Sequence, residues 1–149
     1  MVDVVDRQTR SRMMSGIRGT NTKPELMVRK SLHSRGFRYR LHTKGIPGKP
    51  DLVLPKYRTV IFVHGCFWHR HDCTLFKWPK TRETFWRDKL TKNTERDKRN
   101  VAALLSDGWR VLVIWECALK GADPSHQKAT IDKAEQFIVG ASNYLELPP

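Results

Sequence analysis

The sequence predicts a small single α/β domain, a central mixed β-sheet flanked by helices. Three observations predict it. Thr59-Val60-Ile61-Phe62-Val63 and Trp109 to Trp115 are apolar, β-branched runs of strand length, as central strands buried on both faces require. Stretches with helical periodicity lie between and after these runs, which is the alternation of an α/β domain. And 149 residues fit one domain with a core of its own.

The elements follow in order. Residues 1–22 lack clear periodicity and carry Arg7, Arg10, Arg12 and Arg18, which reads as a basic arm that contacts a partner. Residues 23–149 form the domain proper. Thr22-Lys23-Pro24-Glu25 opens the first helix: Thr22 caps, Glu25 sits three residues on as in a capping box, and Pro24 suits the first turn. That helix runs to about Ser34, and Gly36 ends it. Phe37 to His42 alternates apolar and basic residues, a strand with one exposed basic face. Gly45 to Pro50 is a loop, Leu52-Val53-Leu54 a short strand, and Pro55 to Arg58 a turn before the Thr59–Val63 strand. Thr81 to Lys92 and Thr94 to Leu105 read as two helices, stopped by Gly108. Trp109 to Trp115 is the next buried strand. Ser125 to Gly140 is the last helix, with Ile131, Ala134, Phe137 and Ile138 on one face.

Lys and Arg number 28 against 15 Asp and Glu, a formal charge of +13. Charge of this size on one domain favours a polyanion, and nucleic acid is the first candidate because aromatic rings are interleaved with the cations. A basic solvated surface is the plain alternative. No apolar run reaches the length of a membrane span, no basic amphipathic helix suits a lipid surface, and the N-terminus does not look like a signal peptide. A soluble cytoplasmic protein is expected. The odd cysteine count, Cys66, Cys73 and Cys117, argues against a disulfide framework.

Cys66-Phe67-Trp68-His69-Arg70-His71-Asp72-Cys73 concentrates thiols, imidazoles and large rings in eight residues. Zinc takes four thiolate or imidazole ligands in a tetrahedron. Cys66, His71 and Cys73 offer three, and Cys117 follows the Trp109–Trp115 strand. If that strand neighbours Thr59–Val63, Cys117 emerges at the same sheet end and closes a structural Cys₃His site. Small buried thiols are the alternative reading. Polar groups cluster at strand ends as well. Asp51 opens one strand, His64 follows the next, His69 lies on the loop out of register with the thiols, and Glu25 sits on the first helix. A strand-end carboxylate suits Mg²⁺ and imidazoles suit proton transfer near neutral pH. Together they describe metal-assisted phosphodiester hydrolysis. Singly, each residue has an ordinary role as cap, turn or structural histidine.

Phe67, Trp68 and Trp86 are rings that could part stacked bases, with core packing as the alternative. Trp86, Lys89 and Asn93 share one helix face by spacing and offer a ring, a cation and a base-reading amide. Trp109 and Trp115 read as core.

With these residues in view, the chain resembles the very short patch repair mismatch endonucleases of bacteria along nearly its whole length. The matching parts are Thr22 to Leu26, Gly48-Lys49-Pro50-Asp51-Leu52-Val53-Leu54-Pro55, Phe62-Val63-His64-Gly65-Cys66-Phe67-Trp68-His69, and Gly108-Trp109-Arg110-Val111 leading to Trp115-Glu116-Cys117. The resemblance implies a restriction-endonuclease-like fold. It implies nicking 5′ to the T of a T:G mismatch in double-stranded DNA, the product of 5-methylcytosine deamination, with catalytic Mg²⁺. Asp51 and the main-chain carbonyl of Val63 would hold that Mg²⁺, and His69 would be the general base, assisted by Glu25 and His64. Cys66, His71, Cys73 and Cys117 would hold structural Zn²⁺. Phe67, Trp68 and Trp86 would wedge into the duplex, and the arm, with Met14, would clasp it. The family often has Thr where this chain has Val63, a change that a carbonyl ligand survives. Its histidine-rich loop is thinned here to His69-Arg70-His71-Asp72. The second acidic/lysine motif of restriction enzymes is absent. A monomer acting at the nucleoid is expected, with mismatch-repair proteins as partners by resemblance. A non-catalytic zinc-containing nucleic-acid binding domain is the reading from another class.

Overall fold

The computed structural model describes residues 22–73, 76–120 and 123–148. Helix α1 spans Lys23–Ser34, strand β1 Arg40–Leu41, β2 Leu52–Leu54 and β3 Thr59–His64. Helix α2 spans Glu83–Ser106, β4 Arg110–Trp115, α3 Pro124–Val139 and β5 Tyr144–Leu147. The five strands form one sheet in the order β1-β2-β3-β4-β5. β1, β2 and β3 pair antiparallel, whereas β3, β4 and β5 pair parallel. The sheet is mixed, as expected.

Alternation along the strands sends side chains to opposite faces and makes two cores. Leu52, Leu54, Ile61, Leu112 and Ile114 meet residues of α1 and α3, including Val28, Leu32, Ile131 and Phe137. Val53, Val60, Phe62, Val111, Val113 and Trp115 form the other cluster, with Leu104 of α2 and Cys66. The result is three layers, with α1 and α3 on one side and α2 on the other. Both faces of β3 and β4 are covered, which is why these strands read as nearly unbroken apolar runs.

Local signals set the helix ends. The Thr22 hydroxyl accepts from the Glu25 N–H at 3.4 Å, and the Asp123 carboxylate accepts from the His126 N–H at 2.8 Å, each satisfying a free first-turn donor.

The structure corrects the sequence reading in three places. Phe37 to His42 is mostly not strand: only Arg40 and Leu41 pair with β2, because Phe37 turns into the core and His42 adopts a left-handed conformation (φ 46°). The two helices expected at Thr81–Lys92 and Thr94–Leu105 are one continuous helix of 24 residues. Asn93 and Thr94 do not break it, since the Asn93 amide donates to the Trp68 carbonyl outside the helix and Thr94 Oγ1 donates back to the Leu90 carbonyl. And β5, which sequence periodicity did not indicate, completes the sheet beside β4. Among the described residues, no helix is long and apolar enough to cross a membrane.

Candidate active site and metal-ligand cluster

The site is built where β2, β3 and β4 present polar residues at one sheet end. Asp51 stands just before β2 and is tied to β3 twice. Its N–H donates to the Ile61 carbonyl at 3.0 Å, and its carboxylate accepts from the Val63 N–H at 2.7 Å. Burial, with the Glu25 carboxylate nearby, pushes Asp51 up to about 7, against the opposing pull of the Val63 N–H. Glu25 reaches the same point from α1 and is only 1% exposed. It accepts from Arg29 at 3.4 Å and lies 3.1 Å from Nε2 of His42. Ligand atoms of Glu25, His42 and Asp51 lie within 4.8 Å of one another. Two crowded, buried carboxylates, one held partly protonated, fit a hard divalent cation whose charge would relieve their repulsion.

His64 ends β3 and is buried. Burial drives its pKa down to about 3, the His69 imidazole adds to that effect and Asp97 opposes it, so the ring is neutral near pH 7. The His69 ring stacks on it at 3.8 Å with an interplanar angle of 6°. His69 Nδ1 in turn contacts the Asp97 carboxylate of α2. This leaves Nε2 of His69 as the nitrogen able to exchange a proton. Gly48, Asp51, Val63, His69, Asp97 and Asn100 are among the residues lining a cavity of about 450 Å³. Gly48 lets the β1–β2 loop approach α2: a Cβ there would lie 3.0 Å from Asn100 Cβ, and the backbone has φ +77°.

The loop after β3 is wound on itself by three main-chain bonds. The N–H groups of His69, Arg70 and His71 donate to the carbonyls of Gly65, Phe67 and Cys66. The Cys66 N–H also donates to Glu116, which tethers the loop to the end of β4 at 3.3 Å. The condition on which Cys117 joins the cluster is met: β3 and β4 are neighbours, with Thr59–His64 opposite Arg110–Trp115 in parallel register. Cys117 therefore arrives beside Cys66, and the ligand atoms of Cys66, His71, Cys73 and Cys117 all lie within 4.8 Å of one another. His71 Nδ1 is 3.6 Å from Cys66 Sγ and 3.5 Å from Cys117 Sγ. Tetrahedral zinc with ordinary Zn–S and Zn–N bonds sets such pairs at about 3.5 Å, so the donor set fits that ion. Burial raises the Cys66 and Cys117 thiols and lowers His71. A neutral imidazole is ready to ligate, whereas the thiols must lose protons to a metal.

The ring residues gather at one place on α2. Phe67 and Trp68 both contact Trp86, with centroids 5.5 and 5.8 Å away. Trp86 is 7% exposed and lies beneath the other two, while Phe85 is 43% exposed. Lys89 Nζ stands 5.9 Å from the Trp68 ring, and the Asn93 amide donates to the Trp68 carbonyl at 3.1 Å. Trp86, Lys89 and Asn93 therefore converge on Trp68. Trp115 is core as read, whereas Trp109 is half-buried with Arg58 over its ring at 4.5 Å. Arg70 donates to Thr91 on α2 at 3.1 Å and pins the loop. Met14 and the basic arm lie outside the described residues.

This chain is 45% identical over 140 residues to the DNA mismatch endonuclease Vsr of Escherichia coli (strain K12), covering 94% of this chain and 90% of that protein. The chain belongs to the Vsr family. The family model described as DNA mismatch endonuclease Vsr matches residues 2–75. The type II nicking enzyme V.XorIIP of Xanthomonas oryzae pv. oryzae is 49% identical over 119 residues, 80% of this chain and 88% of that one. The catalytic domain of the homing endonuclease I-Bth0305I aligns with TM-score 0.54 and 22% identity over 80% of this chain and all of that one, which shows a shared fold. The restriction-endonuclease-like α/β architecture expected from the sequence is the one observed in this Vsr family member.

Two residues of the candidate site escaped the sequence reading. Asp97 continues the face of Trp86, Lys89 and Asn93 by one more turn, so extending the same helical spacing would have found it. His42 carried no signal beyond its place among alternating basic residues.

Proposed function

We propose that this chain is a Mg²⁺-dependent, zinc-stapled DNA mismatch endonuclease that nicks one strand 5′ to the T of a T:G mismatch and so starts very short patch repair. Membership of the Vsr family supports DNA endonuclease activity. The observation that carries the reading is the meeting of Asp51 with the His69–Asp97 pair around one cavity.

In this reading Asp51 and the main-chain carbonyl of Val63 hold Mg²⁺, which when bound neutralises charge on the phosphate oxygens. Nε2 of His69 takes a proton from the attacking water as its oxygen bonds to phosphorus and the 3′ oxygen leaves. Asp97 holds His69 in the tautomer that leaves Nε2 free, and stabilises the imidazolium that forms. Neutral His64 and buried Glu25 assist around the scissile phosphate. Cys66, His71, Cys73 and Cys117 hold zinc, which fixes the loop carrying His69. Phe67 and Trp68, backed by Trp86, part the base stack, while Lys89 and Asn93 serve the mismatch. The N-terminal arm, with Met14, clasps the duplex. The protein acts as a monomer in the cytoplasm, with mismatch-repair proteins nearby.

The test is a strand-labelled T:G duplex with Mg²⁺, beside a matched T:A duplex. Wild type is expected to nick the T strand of the mismatch, and Asp51→Ala and His69→Ala to bind without nicking. No nick by wild type, or equal nicking by all three, would favour the non-catalytic zinc-containing binding domain.

A further inference from the structure

Trp115 ends β4 and faces His64 across the parallel pair. Its indole lies flat on His71 at 4.1 Å with an interplanar angle of 7°. Its other ring contacts are edges against the catalytic candidates: His64 at 5.1 Å and 68°, and His69 at 6.1 Å and 71°. One indole thus touches a ligand of the metal cluster and both imidazoles of the active site.

Two unsatisfied atoms give this contact meaning. Among the described residues, the buried Trp115 Nε1 has no hydrogen-bond partner. Burying such a donor is costly, and a plain core position would favour an apolar ring or leucine instead. The buried Nδ1 of His64 likewise has no partner among the described residues. Ring contacts surround His64: the His69 stack, Trp115 at 5.1 Å, and Phe62 at 5.2 Å. His69 stacks on His64 on one side and contacts Asp97 through Nδ1.

We propose that Trp115 is a positioning residue, a bicyclic spacer that takes its own orientation from the His71 plane and passes it to the His64–His69 pair. The claim rests on the hydrolytic reading given above for His69. A bicyclic ring suits the place because it must span both imidazole groups. A phenyl ring would fill much of the space and remove the unsatisfied N–H, yet could not reach both.

The test is Trp115→Phe in zinc-loaded protein, with Trp115→Leu beside it. Trp115→Phe is expected to keep its zinc and to melt at or above the wild-type temperature. Its kcat on the T:G duplex is expected to fall roughly tenfold with KM within about twofold, since small misplacements of reacting groups cost this much or more. Stability and activity then move in opposite directions, which a purely structural role does not produce. Trp115→Leu should lose more kcat. In crystal structures of both variants without DNA, the His64 and His69 ring planes should turn from their wild-type setting. Wild-type kcat in Trp115→Phe, a loss of kcat that only tracks lost zinc or lost stability, or unmoved His64 and His69 rings would overturn the proposal. The positions of the two histidine rings decide the positioning claim even if the wild type itself does not nick, an outcome that would instead sink the hydrolytic reading.

Discussion

Replacing Asp97 by Asn changes one charge and almost no volume. Asp97 contacts Nδ1 of His69; with His69 as the proposed general base, its carboxylate would face an imidazolium formed when Nε2 takes the water proton. Opposite charges about 4 Å apart attract by about 4 kcal/mol at the effective dielectric of a partly shielded site. The two side chains are 22% and 23% exposed, so solvent screens part of this. Halving the figure leaves about 2 kcal/mol, or roughly a thirtyfold loss of kcat. KM should change little, because the charge forms only in the transition state. Asp97→Ala also frees the ring to turn and should cost about a hundredfold. The assay is single-turnover nicking of a T:G duplex at saturating enzyme, with zinc content and melting temperature measured in parallel. Asp97→Asn within about threefold of wild type in kcat would refute the reasoning, because His69 would then be working without its partner.

Three further outcomes follow from the geometry. Cys117→Ser should retain well under one zinc per chain by metal analysis and melt at a lower temperature, since a hydroxyl does not ligate zinc as a thiolate does; full zinc retention would count against the four-ligand cluster. His64, held down at about 3 by burial, contributes stability that is present above its unfolded pKa near 6.5 and is lost as pH falls from there towards 3; His64→Gln should flatten the acid limb of melting temperature against pH, and an unchanged limb would contradict its burial as a neutral ring. Gly48→Ala must adopt φ +77° and place a Cβ 3.0 Å from Asn100 Cβ; it should lose about 1–3 kcal/mol in urea unfolding, and a loss below about 0.5 kcal/mol would show that the loop moves aside freely.

Much of the fold was legible because both faces of its centre are covered. β3 and β4 announce themselves as apolar β-branched runs, and the parallel pairing that brings Cys117 to Cys66 follows once they are neighbours. Thr22 and Asp123 cap as their residue types suggest, although only Thr22 was anticipated. β5 was not legible: Tyr144-Leu145-Glu146-Leu147 is four residues long and is strand by virtue of β4 beside it. The apparent break at Asn93-Thr94 misled because side chains that favour turns in isolation can here bond elsewhere. In the site, residues with chemical character were visible one by one. His42 and the bridging position of Trp115 were not, and although helical spacing reaches Asp97, its pairing with His69, 28 residues away, is defined by folding alone.

That α2 is unbroken has a mechanical consequence. Trp86 and Asp97 ride on one rod eleven positions apart, about 16 Å of axial rise and close to three turns. The ring contact of Trp86 and the carboxylate contact of Asp97 are therefore in fixed phase, like two lobes on a camshaft. A single residue inserted between Asn93 and Asp97 would turn one lobe about 100° from the other. Each half of the helix could still fold, yet the part beside Trp68 and the part beside His69 would no longer lie on one helix face.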